Sequence, residues 1–312
     1  MRNEADQPTS KQETIVIEHV INQRQRDLGA FVVGRVLPSA QRRMVGPYIF
    51  FDRMGPKQIA AGLPREADIR PHPHIGLSTI TYLFDGHITH RDSLGFEQAI
   101  QPGEVNWMTA GRGITHSERF EHLRSHGGPL DGVQAWVALP EEREEREPGF
   151  WHHHADALPE WRDSGIHGRL LAGHLAGLQS PGETDSPQFY VHWQLRAGAR
   201  VSLPAEYPER AVYVASGEVE LDGQRIEPAS MAVLMPGNPV TITAIGDAVV
   251  MALGGEPLGP RYIDWNFVSS SKERIDQARA DWAAGRMKLP DLDNQEFIPA
   301  PPRFGKELEA RR

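Results

Sequence analysis

Two short segments of the chain each hold two side chains that can bind a metal ion. His72 and His74 lie two residues apart in the first segment, and His116 and Glu118 lie two residues apart in the second. Side chains two positions apart in a β-strand point to the same face of the sheet. If the segments form neighbouring strands, three imidazoles and one carboxylate converge on one point. The spacing therefore predicts a metal site.

This set of ligands is incomplete for an ion that prefers six partners. It leaves positions for water, dioxygen or a chelating substrate, which is typical of catalytic rather than structural sites. Imidazoles and a carboxylate suit iron, manganese, cobalt, nickel, copper and zinc, so the residues predict one divalent transition ion without naming it. One pair of histidines alone would be weak evidence, because surface histidines are common, and the second pair strengthens the prediction.

The composition excludes several other classes of protein. The 312 residues include no cysteine, which excludes disulfides, thiolate catalysis and iron–sulfur clusters. A formal net charge of −9 argues against nucleic acid or an anionic membrane as the main partner. The sequence has neither an apolar run of about 18 residues, which a membrane-spanning helix needs, nor the apolar core of a secretory signal. We therefore expect a cytoplasmic protein.

Short apolar runs between turn residues favour an all-β chain, in keeping with 30 glycines and 25 prolines. The predicted strands are residues 14–17, 30–37, 45–52, 77–84, 105–108, 133–139, 189–195, 211–214, 218–221 and 231–234. After residue 268 the period changes, and Ser270 and Glu273 have the spacing of a capping box. Helical spacing up to Gly285 then relates Ile275, Ala278, Arg279 and Trp282. The sequence therefore predicts a C-terminal α-helix whose apolar stripe packs on a barrel.

The second half of the sequence repeats the pattern of the first. Residues 83–86 align with residues 214–217, and Ala110-Gly111 aligns with Pro236-Gly237. The repeat predicts two copies of one β-barrel. Under this alignment the four ligand-type residues of the first copy correspond to apolar residues in the second, namely Leu203, Ala205, Ile242 and Ala244. Any metal chemistry therefore belongs to the first half.

This organisation divides the chain into consecutive parts. They are a disordered N-terminus (1–13), an N-terminal metal-binding barrel (14–140), a linker (141–165), a C-terminal barrel without metal ligands (166–268), and a helix with an extended tail (269–312). The charged residues 140–148 are expected to form a solvated surface. We assign no function to the run His152-His153-His154, because neighbouring strand residues point apart and do not form one preorganised site.

The two ligand segments resemble the pirin family of the cupin superfamily. The resemblance rests on residues 71–76 (PHPHIG) and 109–118 (TAGRGITHSE), with support from 45–48, 90–93 and 254–257. It implies an all-β bicupin, in which two jelly-roll-like β-barrels pack face to face and a C-terminal α-helix follows. It also implies one mononuclear metal, commonly iron, in the N-terminal barrel. The implied metal ligands are His72, His74, His116 and Glu118.

The sequence departs from the family pattern beside the first pair. Many cupins take a carboxylate ligand from the position of Ser78, whose hydroxyl is a poor ligand, so the carboxylate must come from Glu118. Many pirins also carry aromatic and acidic residues where this chain has Leu77-Ser78, which limits what the resemblance implies about substrate. Polar residues that could line the pocket or support the ligands, or could be ordinary turn residues, are His90, Asp92 and Asn106.

Some bacterial pirins are similar to quercetin 2,3-dioxygenases, which open a flavonol ring with dioxygen. The resemblance therefore implies a metal-dependent dioxygenase that acts on a small aromatic enol with O2. Glu118 would be the general base of this reaction, since it lies beside the place of the substrate hydroxyl. We expect the chain to act as a monomer.

Two other functions would use the same ligands. Animal pirins resemble iron-dependent regulators, so the alternative is a non-enzymatic protein that binds a transcription factor or a metabolic enzyme. A metal-assisted isomerase or hydrolase of a small polar substrate is the third hypothesis. The pocket separates these functions, because a flavonol enzyme needs an apolar cleft on the order of several hundred Å³, whereas a regulator needs only an exposed surface.

Overall fold

The computed structural model describes residues 16–27, 32–303 and 309–310. The segment predicted to be disordered (1–13) and the starts of the first two predicted strands (14–15 and 30–31) lie outside these ranges. Within them, neither α-helix is long and apolar enough to cross a membrane. Every predicted strand that reaches into the described ranges overlaps an observed strand.

The first half of the described chain forms the following strands and one short helix. They are β1 (Ile17–Asn22), β2 (Arg24–Asp27), β3 (Val32–Leu37), β4 (Tyr48–Ile59), β5 (Ile69–His74), β6 (Leu77–Asp85), β7 (Ile88–Asp92), β8 (Glu97–Ile100), β9 (Val105–Thr109), β10 (Ile114–Arg119), α1 (Glu121–His126), β11 (Gly128–Ala138) and β12 (Gly149–His153). Short 3-10 turns occur at Arg65–Ala67, Glu141–Arg143 and Ala155–Ala157.

The second half has the same character and ends in a longer helix. Its elements are β13 (Glu160–Asp163), β14 (Ile166–Leu175), β15 (Leu178–Gln179), β16 (Gln188–Leu195), β17 (Arg200–Leu203), β18 (Glu209–Ser216), β19 (Val219–Leu221), β20 (Gln224–Ile226), β21 (Ser230–Leu234), β22 (Val240–Ala244), β23 (Ala248–Gly255), β24 (Tyr262–Asp264), β25 (Phe267–Ser269) and α2 (Lys272–Ala283).

Apart from β24 and β25, which pair with each other, these strands form two barrels with matching strand order. In the N-terminal barrel the large sheet runs β12-β9-β6-β11-β4-β3-β2 and the small sheet runs β5-β10-β7-β8. In the C-terminal barrel the large sheet runs β1-β21-β18-β23-β16-β14-β13, with β15 beside β14, and the small sheet runs β17-β22-β19-β20. The predicted all-β bicupin with a C-terminal α-helix is confirmed, and the two orders match strand for strand.

Both large sheets receive edge strands from outside their own barrel segments. β1 is the first strand of the expected N-terminal barrel but pairs with β21 of the C-terminal sheet. β12 lies within residues 141–165 and pairs with β9 of the N-terminal sheet, while β13 of the same segment pairs with β14. The expected linker is therefore built into both sheets, and the expected N-terminal barrel loses its first strand. Edge pairing is the physical reason, because β1 and β12 cover backbone groups that β21 and β9 would otherwise expose.

The two large sheets face each other across a shared apolar core. This core takes residues from both halves, and aromatic pairs span the interface. The ring centroids of Tyr48 and Tyr190 are 5.7 Å apart, and those of Phe51 and Tyr213 are 4.9 Å apart. The small sheets therefore lie on the outer sides of the two barrels, where β5 and β10 hold the predicted metal ligands.

The C-terminal helix is capped one residue later than the capping-box spacing suggests. Ser271 is the N-cap, and its Oγ accepts the Arg274 N–H at 3.2 Å. Ile275, Ala278 and Trp282 are buried against Ile75 and Phe267. Arg279 of the predicted stripe instead forms an ion pair with Asp264, and Gly285 follows the helix with φ of +67°.

The C-terminal tail and the charged connector are both more buried than expected. Asp293 of the tail accepts two hydrogen bonds from the buried Arg119 of β10, each at 2.6 Å, so the tail is anchored to the N-terminal barrel. Glu144, in the run expected to be solvated, is buried and paired with Arg261 at 3.0 Å. Both carboxylates are buried because a guanidinium lies against each of them.

Candidate metal centre

Two prolines hold the strand of His72 and His74 extended. Pro71 and Pro73 fix their own φ angles at about −65°, and each restricts the residue before it to an extended conformation. His72 is one of those restricted residues. β5 is also an edge strand, so prolines without N–H groups are tolerated on its free side.

A glycine turn after β5 and a glycine turn before β10 are linked by a hydrogen bond. The Gly76 N–H donates to the Gly111 carbonyl at 2.9 Å, and the two residues have φ of +67° and +52°. A Cβ on Gly76 would lie 2.0 Å from the Val268 carbonyl oxygen, and a Cβ on Gly111 would lie 2.0 Å from that of Arg146. Both positions therefore require glycine, and together they set where β5 lies against β10.

Three imidazoles converge on the inner side of these two strands. His72 lies opposite His116 in the antiparallel pairing, with ring centroids 4.3 Å apart. The His74 ring is 5.0 Å from each of the other two rings. One ring nitrogen of each residue lies within 4.8 Å of the other two. We call His72, His74 and His116 the histidine triad.

The triad offers ring nitrogens without protein partners. Nδ1 of His74 and Nε2 of His116 are buried and have no hydrogen-bond partner among the described residues. Nδ1 of His72 donates to the Arg70 carbonyl at 2.9 Å, which leaves a lone pair on its Nε2. Buried polar atoms are almost always paired, so unpaired imidazole nitrogens at one point fit a divalent cation.

Burial keeps the triad neutral at physiological pH. The pKa of His72 falls from 6.5 to about 4, mainly because burial disfavours the charged ring and also because His90 is close. Burial and neighbouring imidazoles hold the pKa of His74 and His116 well below 6.5. Neutral imidazole is the form that binds a metal ion, so the triad is ready to bind without first releasing protons.

A hydrogen-bonded chain from Asp92 through His90 fixes the tautomer of His116. Nε2–H of His90 donates to Oδ2 of Asp92 at 2.9 Å, because a carboxylate only accepts. Nδ1 of the neutral His90 ring is then an acceptor, and it receives Nδ1–H of His116 at 3.3 Å. The free lone pair of His116 is therefore on Nε2, the nitrogen without a partner. Such outer hydrogen bonds orient metal-binding histidines.

Glu118 lies on the same strand face but is held apart from the triad. A bulge separates His116 and Glu118 in the pairing of β10 with β5. Nε2–H of Gln134 donates to Oε1 of Glu118 at 2.7 Å. Burial raises the pKa of Glu118 from 4.5 to about 7, and the Gln134 hydrogen bond opposes the shift. The carboxyl group can therefore hold or release a proton near neutral pH.

Aromatic rings surround the triad. The Trp136 ring lies edge-on to His74 at a centroid distance of 5.1 Å and stacks on Phe50 at 4.0 Å. Phe150 of β12 stacks on His90 at 4.4 Å. His72 and Glu118 each retain 7% exposure, whereas His74 and His116 retain 1%. The side of the site towards His72 and Glu118 is therefore the more open one.

Of the other residues that the sequence singled out, some contact the triad and others do not. His90 and Asp92 support His116, whereas Asn106 contacts His152 at 2.7 Å and not the triad. Ser78 hydrogen-bonds to Thr109 at 2.8 Å, in keeping with its exclusion as a ligand.

Sequence reasoning missed Gln134, Trp136 and Phe150. A signal for the first existed, because Gln134 is a polar residue that alternates with the apolar Val133 and Ala135 of β11. Its role could not be read from the sequence, since the partner Glu118 lies on another strand.

Cavities of about 640, 410 and 390 Å³ open elsewhere on the surface. The first is lined by residues such as Arg162, His167 and Asp247, and the other two also lie mainly on the C-terminal barrel. None of the three includes a triad residue or Glu118. The apolar cleft expected for a flavonol enzyme is therefore none of these three cavities.

Comparison with known proteins places the chain in a family. The Pirin family model matches residues 30–137, and the model of the Pirin C-terminal cupin domain matches residues 190–288. A pirin-like protein of Caulobacter vibrioides is 60% identical over 92% of this chain and 100% of its own length. A Pseudomonas aeruginosa protein named as a candidate quercetin 2,3-dioxygenase is 37% identical over 88% of this chain and 86% of its own length.

A solved structure agrees with these relationships. The crystal structure of a quercetin 2,3-dioxygenase from Acinetobacter baumannii matches with a TM-score of 0.85 and 30% identity, covering 94% of this chain and 97% of that one. The two matched barrel domains, the long alignments and the shared bicupin fold lead to one conclusion. This chain belongs to the pirin family.

Proposed function

We propose that this protein is a metal-dependent dioxygenase that opens the ring of a flavonol-like aromatic enol with O2, with iron as its metal. The observation that carries the proposal is the histidine triad, in which buried and neutral imidazoles converge with free lone pairs. The relatives named as quercetin 2,3-dioxygenases support the reaction class. Iron is proposed on the family resemblance, since the same ligands suit neighbouring transition ions.

The residues of the site would have different roles. His72, His74 and His116 would hold the ion, and Glu118 would complete the set or act beside it. When bound, the ion supplies Lewis acidity that stabilises a substrate enolate. The side towards His72 and Glu118 would face the substrate, because those residues retain the larger exposure.

Glu118 is proposed as the general base that accepts the proton of the substrate hydroxyl. Burial raises its pKa to about 7, which suits proton transfer near neutral pH. Gln134 holds Oε1 at 2.7 Å and leaves Oε2 to receive the proton. The rings of Trp136 and Phe150 would form apolar walls beside the ion.

Oxygen consumption tests the proposal directly. Protein of known iron content receives quercetin under anaerobic conditions and is then exposed to air. We expect O2 uptake that disappears in His74→Ala and persists in His153→Ala, which is a histidine substitution outside the triad. Absence of uptake with iron, manganese, nickel, cobalt or copper would contradict the dioxygenase proposal and favour a regulatory protein.

A second variant separates the two roles of Glu118. Glu118→Gln preserves side-chain size but removes the base, so we expect kcat to fall by about 10²–10⁴-fold. Metal content measured by elemental analysis then distinguishes the roles. Full metal content with low kcat supports a base that is not an essential ligand, whereas joint loss of metal and activity supports a ligand.

A further inference from the structure

A second group of metal-binding side chains lies where β12 meets the start of β9. His152, His154 and Glu104 each place one ligand atom within 4.8 Å of the other two. The group shares no residue with the histidine triad. We call these three residues the rim cluster.

Strand pairing explains why these residues meet. His152 lies opposite Asn106 in the antiparallel pairing of β12 with β9, and His153 lies opposite Val105. His154 and Glu104 continue the two strands by one residue. Alternation then puts His152 and His154 on one face and His153 on the other. His153 therefore cannot share a site with its two neighbours, whereas His152 and His154 can form one together with a carboxylate.

A hydrogen bond fixes the tautomer of His152. Nδ1–H of His152 donates to Oδ1 of Asn106 at 2.7 Å. Nε2 of the neutral ring then carries a lone pair, and it faces Oε2 of Glu104 at 3.5 Å and Nδ1 of His154 at 3.4 Å. A lone pair that faces a carboxylate at this distance is repelled unless a positive charge lies between them.

Hydrogen bonds also hold the carboxylate of Glu104 in place, facing the two imidazoles. Its Oε2 accepts the backbone N–H of Gln101 at 2.8 Å, and its Oε1 lies 3.0 Å from Nδ1 of His154. The side chains of Glu104 and His152 retain 12% and 9% exposure, whereas that of His154 retains 70%. Two ligands are therefore preorganised, and the third is free to adjust from the solvent side.

The ring nitrogens and carboxylate oxygens of the rim cluster lie between 3.0 and 3.5 Å apart, a spacing that one cation can bridge. A divalent cation binds neutral imidazole and carboxylate together, so it replaces the repulsion with attraction.

We propose that Glu104, His152 and His154 form a second binding site for a divalent transition ion of the zinc, nickel or cobalt class. Two imidazoles and one carboxylate are a known protein ligand set for zinc, with a further position left to water. The ion would join β12 to the start of β9, and β12 is the edge strand that the segment between the barrels contributes. The site would therefore fasten that segment to the N-terminal sheet.

Zinc stoichiometry tests the proposal. Full-length protein and its variants are dialysed to equilibrium against buffered Zn²⁺, and bound zinc is measured by elemental analysis. We expect His154→Ala to bind about one zinc ion fewer per chain than wild type, because its exposed side chain can be removed without disturbing the fold. Equal zinc content in His154→Ala and wild type would overturn the proposal.

His153→Ala is the matched control, since it removes an adjacent histidine from the opposite face. It is expected to keep the wild-type zinc content, and an equal loss in His153→Ala would show that the effect is not specific to the rim cluster. Glu104→Gln provides a second variant of unchanged size and should lose the same ion. Retention of that ion in Glu104→Gln would also count against the proposal.

The triad is tested separately in the same measurement. His74→Ala should lose the ion of the triad and keep the ion of the rim cluster, and the double variant His74→Ala/His154→Ala should lose both. Loss of zinc in His74→Ala without any loss in His154→Ala would support the triad as a zinc site and would reject the rim cluster. Failure of one site is therefore distinguishable from failure of the other.

Discussion

The two barrels share a strand order but differ in what fills their interiors. His116 lies opposite His72 where β10 pairs with β5, and Ile242 lies opposite Val201 where β22 pairs with β17. Ile242 belongs to the apolar core of the C-terminal barrel, and Val201 packs against that core. One copy of the fold therefore places imidazoles at these positions, and the other places apolar side chains that pack in its core.

The pairing register also corrects the sequence alignment of the two halves. His74 pairs with Ile114 and Leu203 pairs with Val240, so Leu203 is the counterpart of His74, not of His72. The counterpart of His72 is then Val201, and Ala205 lies outside β17. The error arises because the connection from β17 to β18 (204–208) is longer than that from β5 to β6 (75–76). The conclusion that the second barrel lacks these ligands is unchanged.

This difference suggests a division of labour between stability and chemistry. A buried imidazole without a partner costs about 1–3 kcal/mol of desolvation, whereas a buried aliphatic side chain contributes about 1.5–3 kcal/mol. The N-terminal barrel therefore loses stability at its site, as functional sites often do. The C-terminal barrel, which packs against it through the large sheets, can offset that loss.

The largest expected effects on metal binding and on stability come from replacing the equivalent residues His74 and Leu203 with alanine. His74→Ala should abolish tight metal binding and leave the barrel folded, because it removes a ligand and no large apolar surface. Leu203→Ala should keep the metal and lower the free energy of unfolding by about 2–5 kcal/mol, because it leaves a cavity in a packed core. Elemental analysis measures the metal content and urea unfolding measures the stability. Loss of metal in Leu203→Ala, or a large loss of stability in His74→Ala, would contradict the comparison.

A pH titration of stability should reveal a buried histidine outside the metal centre. Burial, with Arg169 nearby, lowers the pKa of His192 from 6.5 to about 3. Between these values the unfolded chain binds a proton that the folded chain does not, so stability falls as pH falls. His192 alone is expected to contribute a slope of about 1.4 kcal/mol per pH unit below pH 6.5, in addition to the slopes of the triad histidines.

His192→Phe is expected to remove this part of the slope. Urea unfolding of the metal-free protein between pH 7 and pH 4 measures it. Tyr82, whose hydroxyl contacts Nδ1 of His192 at 2.8 Å, loses a partner in the variant, so absolute stability is compared only within each protein. An unchanged slope would contradict the assignment of His192 as a buried neutral ring.

Removal of the hydrogen bond behind His116 should weaken metal binding without abolishing it. His90→Phe keeps a ring that can stack on Phe150 but loses the acceptor for Nδ1–H of His116. We expect metal affinity to fall by about 10–100-fold. His90→Gln retains an acceptor and should recover part of the loss in a competition assay with a chelator. Equal losses in the two variants would indicate a packing effect instead.

The smallest expected effect on stability comes from making the two interiors alike. His72→Val/His74→Leu/His116→Ile places the residues of the C-terminal barrel in the N-terminal one and should abolish metal binding by the triad. We expect the metal-free variant to gain about 1–3 kcal/mol in the free energy of unfolding, because unpaired buried nitrogens are replaced by apolar groups. Urea unfolding of metal-free variant and wild type measures the gain, and a loss of stability would show that the imidazole rings pack better at these positions than the aliphatic side chains do.

Local spacing was enough to predict the two pairs of ligand-type residues and the all-β repeat. His72 with His74, and His116 with Glu118, were recognisable because strand alternation acts over two residues and is written in local spacing. The bicupin fold followed from the resemblance and from short apolar runs between turns. Helical spacing, which is also local, predicted the helix that the structure shows at Lys272–Ala283.

Which distant segments meet could be read only from the folded chain. It assigned β1 to the C-terminal sheet and β12 to the N-terminal sheet, because edge strands pair wherever backbone groups are exposed. It also brought Glu104 to His152 and His154, and Gln134 to Glu118. These contacts join residues far apart in sequence. Local periodicity does not predict them, because they depend on strand register and on how the two barrels pack.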